Sequence, residues 1–224
     1  MNALYRDRPA RPPQPETLEI PGPAGALEAI LEDPGGEPAA LAVVCHPHPL
    51  FEGTMRNKVV HTLARAANRL GAPALRFNFR GVGASAGAWD DGRGETEDAL
   101  AAIEWARARW PGRPLWLAGF SFGAFVALRA AASAAPAALV TVAPPVQRFP
   151  PGEVPQPATP WLLVQGEADE LVDYREVTAW AEARPQPPRV VLLPATSHFF
   201  HGRLAELQQA VQDFLAETAN GDAQ

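Results

Sequence analysis

The segment Pro114–Gly123 reads Pro-Leu-Trp-Leu-Ala-Gly-Phe-Ser-Phe-Gly, and it decides the fold more than any other stretch of this 224-residue chain. Its first five residues form a short apolar run that predicts a buried strand, and the alanine-rich stretch from Ser121 to about Ala134 predicts a helix. Between them, Gly119–Gly123 fits the pattern G-x-S-x-G, in which small residues permit a sharp turn. We therefore expect the Ser121 hydroxyl to stand above a sheet edge, next to the free N–H groups of a helix N-terminus.

Strands and helices alternate on both sides of this turn, which is typical of parallel βαβ units. The pattern predicts an α/β fold with a mostly parallel, eight-stranded sheet covered by helices on both faces. A single domain is expected at residues 16–219, after a proline-rich, extended or disordered tail at residues 1–15. The predicted strands are Thr17–Ile20, Ala26–Leu31, Ala40–Cys45, Pro73–Phe79, Pro114–Ala118, Ala137–Val142, Pro160–Val164 and Arg189–Leu193. The predicted helices are Met55–Leu70, Gly94–Trp110, Ser121–Ala134, Tyr174–Ala183 and Leu204–Thr218.

Composition argues against several classes of protein. The chain has 19 basic and 25 acidic residues and a net charge of −6, whereas nucleic-acid-binding proteins are usually basic, so no nucleic-acid partner is expected. Cys45 is the sole cysteine, which excludes an internal disulfide framework and a cysteine-based zinc site. There is no apolar run of about 18 residues, and Met1–Glu16 lacks the apolar core of a secretory signal. We expect a cytoplasmic protein with no membrane partner.

A metal or cofactor is not expected either. His46 and His48 have a spacing that metal ligands sometimes show, but no cluster of carboxylates accompanies them. The sequence leaves the oligomeric state open, and a homodimer is one possibility.

A serine nucleophile needs a base and an acid that orients the base. Asp169 and His198 each follow a predicted strand, in the chain order Ser, Asp, His that accompanies this serine motif. The carboxyl ends of parallel strands meet at one sheet edge, so we expect both side chains near Ser121. Alternatives remain at this stage: Glu167, Glu170 or Asp173 for the acid, and His201 for the base.

Taken together, these motifs resemble the α/β-hydrolase superfamily, and in particular small bacterial hydrolases with a His-Pro-His-Pro segment. The resemblance rests on His46–Leu50 with Gly53, Met55, Asn57 and Lys58, on Phe77–Gly83 with Ser85, and on Gly119–Gly123, Gly166–Asp169 and Ser197–Gly202. It implies the hydrolase fold and a triad of Ser121, Asp169 and His198. Related chains tend to have two glycines where this chain has Glu52-Gly53.

Two backbone N–H groups are expected to form an oxyanion hole. One belongs to Phe122, the residue after the serine. The other comes from the loop after Ala40–Cys45, where Pro47 and Pro49 have no N–H, so the candidates are His48, Leu50 and Phe51. The resemblance favours His48, because related enzymes use the second residue after a histidine in this position.

The substrate is expected to meet apolar side chains beside these motifs, and we select Leu50, Phe51, Phe120 and Phe199. Many α/β hydrolases carry a helical cap between their sixth and seventh strands. Here the corresponding segment, Ala143–Thr159, is short and contains six prolines, so it predicts a stiff, extended loop and no helical cap. An open serine of this kind suits small or exposed acyl groups better than long lipid chains.

The sequence thus predicts a cofactor-free serine hydrolase, similar to a carboxylesterase, that acts on a small-molecule ester. Hydrolysis of peptides, thioesters or dienelactones, and acyl transfer, use the same triad and stay open. A non-catalytic interaction module on the same fold is the alternative from another class.

Overall fold

The computed structural model describes residues 14–149 and 154–221, and the predicted tail lies almost entirely outside these residues. Eight strands form one sheet. They are β1 (Pro15–Gly22), β2 (Gly25–Glu32), β3 (Leu41–Cys45), β4 (Ala74–Phe77), β5 (Leu115–Phe120), β6 (Ala138–Val142), β7 (Trp161–Gly166) and β8 (Arg189–Leu193).

Five helices cover this sheet, as the sequence pattern predicts. They are α1 (Lys58–Arg69), α2 (Arg93–Arg109), α3 (Phe122–Ala134), α4 (Tyr174–Glu182) and α5 (Leu204–Ala219). Two single 3₁₀ turns, Pro49–Phe51 and Val146–Arg148, lie in loops at the carboxyl edge of the sheet.

The strand order is β1-β2-β4-β3-β5-β6-β7-β8. Strand β2 runs antiparallel to both of its neighbours, and β3 to β8 are parallel to one another. The carboxyl ends of β3, β4, β5, β7 and β8 therefore open onto the same edge. The loops that carry the predicted site residues leave the sheet at this edge.

The core has two layers, because side chains of a strand alternate between the two faces of a sheet. In β5, Leu115 and Leu117 pack on one face beneath α2, α3 and α4. Trp116, Ala118 and Phe120 pack on the other face beneath α1 and α5. Every residue of β5 is buried, which explains why this strand reads as a continuous apolar run.

The predicted start of the first helix at Met55 is wrong. The Asn57 side chain caps α1 by accepting a hydrogen bond from the Val59 N–H at 2.9 Å. The Met55 backbone is engaged elsewhere, because its N–H donates to Asn78 and its carbonyl accepts from Arg76. These bonds hold residues 55–57 against β4 and its loop instead of in a helical turn.

The proline-rich segment between β6 and β7 differs in one respect from the expected extended loop. It contains the 3₁₀ turn Val146–Arg148, which closes with a bond from the Phe149 N–H to the Val146 carbonyl. No other helix occurs in its described residues, 143–149 and 154–160.

Candidate active site

Ser121 occupies the sharp turn between β5 and α3 in a strained backbone conformation, with φ 53° and ψ −121°. This region is sparsely populated by residues other than glycine, and such strain persists only where the surroundings enforce it. The Ser121 N–H donates to the Val142 carbonyl on β6 at 2.8 Å, which ties the turn to the sheet. A side chain at Gly119 would collide with the backbone at Gly123, and one at Gly123 would collide with the Cys45 carbonyl. Both glycines of the motif are therefore required by close backbone approach.

The structure brings the three side chains of the predicted triad into one line of hydrogen bonds. The Ser121 Oγ lies 3.2 Å from His198 Nε2, and His198 Nδ1 lies 2.8 Å from Asp169 Oδ2. A carboxylate only accepts hydrogen bonds, so the proton of a neutral His198 ring belongs on Nδ1, and Nε2 is left to accept from the serine. The Asp169 side chain is fully buried, and that of His198 is almost fully buried.

Asp169 is held as an ionised acceptor by several donors. Its Oδ1 accepts from the backbone N–H groups of Leu171 and Val172, at 2.9 and 2.8 Å. Its Oδ2 accepts from the Gln165 amide at 2.8 Å as well as from His198. Burial raises the pKa of Asp169, but the hydrogen bond and charge of His198 and the two backbone N–H groups outweigh burial and lower this pKa below its ordinary value.

The alternatives for the acid and the base lie elsewhere. Glu170 accepts from the backbone N–H of His198, not from its ring. Asp173 caps α4 by accepting from the Arg175 N–H, and Glu167 is exposed. His201 is also exposed and lies outside the cavity that contains Ser121.

The N–H groups of Phe122 and His48, both expected in the oxyanion hole, have no hydrogen-bond acceptor among the described residues. Phe122 is the first residue of α3, so its N–H has no intrahelical acceptor. In the loop after β3, the Leu50 N–H donates to the His48 ring and the Phe51 N–H donates to the His48 carbonyl. Of the three candidates His48, Leu50 and Phe51, only the His48 N–H is therefore available to a substrate.

The orientation of the His48 N–H depends on His46. His46 is fully buried, its Nδ1 lies 2.6 Å from the Pro47 carbonyl, and its Nε2 accepts from the Phe79 N–H at 3.0 Å. The Pro47 carbonyl and the His48 N–H belong to the same planar peptide group. A bond that fixes the carbonyl thus fixes the direction of the N–H.

Glu52 follows this loop in the left-handed conformation, with φ 58° and ψ 19°. This is a conformation that favours glycine and costs other residues about 1 kcal/mol. It gives a physical reason for the glycine that related chains tend to have here, and this chain adopts the same turn with a glutamate.

Ser121 and His198 line an open cavity of about 620 Å³. Of the four predicted substrate contacts, Phe51 and Phe199 line this cavity, whereas Leu50 and Phe120 do not. Leu50 points to solvent, and Phe120 is buried beneath the His198 ring at a centroid distance of 5.1 Å. The prediction that Leu50 and Phe120 line the cavity is wrong, because the 3₁₀ turn leaves Leu50 exposed and the alternation of β5 directs Phe120 into the core.

Sequence reasoning missed several residues of the site. Gln165 is polar at the end of a strand that is otherwise apolar, and this mismatch was a signal for its role beside Asp169. Lining residues that the sequence did not predict come from four separate loops and from α3, and they include Asn57, Trp89, Asp91, Phe125, Pro145, Arg148, Phe149, Leu171 and Val172.

Within the described residues, no group of three or more His, Cys, Asp or Glu side chains is arranged to hold a metal ion. His46 has both ring nitrogens engaged with backbone groups, so it is unsuited to metal binding. None of the helices in residues 14–149 and 154–221 is long and apolar enough to cross a membrane.

The fold and the turn at Ser121 define a class of serine hydrolase, and comparison with known proteins agrees. The family described as alpha/beta hydrolase fold matches residues 50–156. A crystal structure from Xanthomonas campestris, described as an α/β serine hydrolase without lid, is 46% identical with a TM-score of 0.85, covering 94% of this chain and 97% of that one. An α/β serine hydrolase homologue from Coxiella burnetii is 45% identical with a TM-score of 0.85, covering 89% of this chain and 97% of that one.

Among curated proteins, an uncharacterized protein of Rickettsia prowazekii is 32% identical over 205 residues, which cover 87% of this chain and 86% of that protein. The chain belongs to the α/β-hydrolase superfamily, among its small, lidless serine hydrolases.

Proposed function

We propose that this hydrolase cleaves carboxylic esters through an acyl-enzyme intermediate. The Ser121 Oγ attacks the acyl carbon while His198 Nε2 takes its proton, and the ring then gives that proton to the leaving alcohol. Asp169 holds the Nδ1–H and stabilises the imidazolium that forms. A water molecule, activated by His198 in the same way, attacks the acyl-enzyme and releases the acid.

The oxyanion that develops on the acyl carbonyl then lies between the N–H groups of Phe122 and His48 and accepts hydrogen bonds from both. The first belongs to the N-terminus of α3, whose dipole favours negative charge. Preorganised donors of this kind contribute a factor of ~10²–10³ each to the rate.

The observation that carries the proposal is the line of hydrogen bonds from Ser121 Oγ through His198 to Asp169, at 3.2 and 2.8 Å. An interaction module has no need for a strained serine aligned with a buried imidazole and carboxylate. This is why the proposal favours catalysis over the non-catalytic alternative.

Labelling with a fluorophosphonate and hydrolysis of 4-nitrophenyl acetate test the proposal. Ser121→Ala should abolish labelling and lower kcat/KM by a factor on the order of 10⁴ or more. Ser133→Ala is the matched control, because Ser133 is exposed on α3 and should leave both readouts unchanged. A folded wild-type protein that reacts with neither reagent would contradict the proposal.

The preference for esters is tested with ester, thioester and amide substrates of the same acyl group. A second series varies the length of the acyl chain. Because the described β6–β7 residues form no cap, short or exposed acyl groups should give the highest kcat/KM. A sharp optimum at long chains would overturn this part of the proposal.

A further inference from the structure

The apolar lining of the cavity beside Ser121 consists mainly of aromatic rings. Leu171 and Val172 are the two branched aliphatic side chains in it. The lining also contains six phenylalanine or tryptophan rings, namely Phe51, Trp89, Phe122, Phe125, Phe149 and Phe199. A cavity for a flexible alkyl chain needs only apolar surface, so this composition calls for a more specific explanation.

The rings on the side of the β3 loop form one connected wall. The His48 and Trp89 rings are stacked with a centroid distance of 4.5 Å, and Phe51 meets His48 edge-on at 4.8 Å. The Trp89 indole is also held by a hydrogen bond from its Nε1–H to Asp91 at 3.0 Å. This first wall is therefore already assembled in the absence of a substrate.

A second wall is formed by Phe125 from α3 and Phe149 from the β6–β7 segment. Their rings are stacked with a centroid distance of 4.9 Å, and Phe149 packs edge-on against Trp180 behind it at 5.7 Å. Phe122 joins the two walls, because its ring lies 5.0 Å from Trp89 and 6.3 Å from Phe125.

The rim of the cavity is also apolar. The exposed large hydrophobic side chains of the described residues are Leu50 (65% exposed), Phe51 (72%), Leu171 (58%) and Phe199 (40%). Three of these four line the cavity, and Leu50 lies next to Phe51 in the same 3₁₀ turn. Apolar surface concentrated at one place on a protein indicates a binding site.

We propose that the ester hydrolysed at Ser121 carries an aromatic ring, which lies between the two walls while its carbonyl faces the serine. This inference rests on the proposed esterase function and names its substrate class. Rings pack against one another edge-on or offset, and each such pair adds a factor of roughly 2 to 12 in affinity beyond the burial of apolar area. A saturated ring of similar size buries the same area without this addition.

Two matched pairs of esters test the inference. Methyl phenylacetate and methyl cyclohexylacetate place the ring in the acyl half, and benzyl acetate and cyclohexylmethyl acetate place it in the alcohol half. For each pair, the ratio of kcat/KM for the aromatic ester to that for the saturated ester is divided by the same ratio of rate constants for hydrolysis by hydroxide. This division removes the difference in intrinsic reactivity between the two esters. We expect a preference for the aromatic member of roughly 2- to 12-fold in at least one pair.

Phe51→Leu and Phe149→Leu keep an apolar side chain but remove a ring from each wall, and at least one should reduce the preference by roughly half or more. Phe51 is largely exposed, so Phe51→Leu should fold even if Phe149→Leu does not. Tyr174→Leu makes the same kind of change outside the cavity and should leave the preference unchanged.

Equal corrected rates for both members of both pairs would overturn the aromatic substrate while leaving the esterase function intact. A preference that persists in both phenylalanine variants would also overturn it, because the walls would then not be its source. If the enzyme hydrolyses neither the four esters nor any 4-nitrophenyl ester, the esterase function itself is wrong. The inference about an aromatic substrate is then wrong as well.

Discussion

Acid should weaken this fold through one buried histidine, His46. The Pro47 carbonyl can only accept and the Phe79 N–H can only donate, so these partners require a neutral ring with its proton on Nδ1. Adding a second proton would place an N–H on Nε2 against the Phe79 N–H. Burial, together with the charge of His48, lowers the pKa of His46 from 6.5 to about 3, although the hydrogen bond to Pro47 opposes this shift.

The direction in which stability changes with pH follows from proton uptake by His46. Below pH 6.5 the unfolded chain binds a proton at His46 that the folded chain does not bind, so stability is complete above pH 6.5 and falls as the pH approaches 3. Each pH unit in this window corresponds to about 1.4 kcal/mol, so the loss attributable to His46 at pH 4.5 is about 3 kcal/mol. The pKa values of Glu32 and Asp169 are lowered from 4.5 and 3.8, so these carboxyls add their own losses of stability mainly below pH 4.5.

Urea unfolding at pH 7.5 and 4.5 measures this loss. The pH-dependent loss of unfolding free energy should be about 3 kcal/mol smaller in His46→Asn than in the wild type. His201→Asn is the control: it removes an exposed histidine and should lose the same unfolding free energy between the two pH values as the wild type. If the wild type and His46→Asn lose the same unfolding free energy between pH 7.5 and 4.5, His46 is not a source of the acid sensitivity. If His46→Asn does not fold, ¹⁵N NMR of the wild type decides: protonation of the native His46 ring near pH 6.5 would likewise exclude His46 as that source.

Three further substitutions have defined outcomes. Gln165→Leu removes an amide donor to Asp169, so kcat/KM should fall about 10-fold with little change in thermal midpoint; an unchanged kcat/KM would contradict this. Gly123→Ala forces a side chain against a backbone carbonyl of β3 and should cost about 1–3 kcal/mol in urea unfolding together with most of the activity. Glu32→Gln leaves Arg76 buried without its charged partner, so unfolding free energy should fall by about 3–5 kcal/mol, and an unchanged urea midpoint would show that the pair contributes nothing.

The amino-acid sequence determined the centre of the sheet, because β3, β5, β6 and β7 are buried on both faces and therefore read as apolar runs of the right length. It also determined the turn at Ser121, since Gly119 and Gly123 are the residues that permit the approach of β3 and α3. The order of strands placed Asp169 and His198 at the edge where Ser121 stands.

Tertiary packing decided the remaining features of the site. Asp169 and Glu170 are adjacent carboxylates that both contact His198, but only Asp169 reaches the His198 ring, and no local pattern encodes this difference. The two aromatic walls likewise join side chains from distant segments, so their contacts exist only once β4, β3, β5 and β6 have been placed side by side. Local sequence sets the backbone preference of each segment, whereas contacts between segments depend on the packing of the whole sheet and its helices.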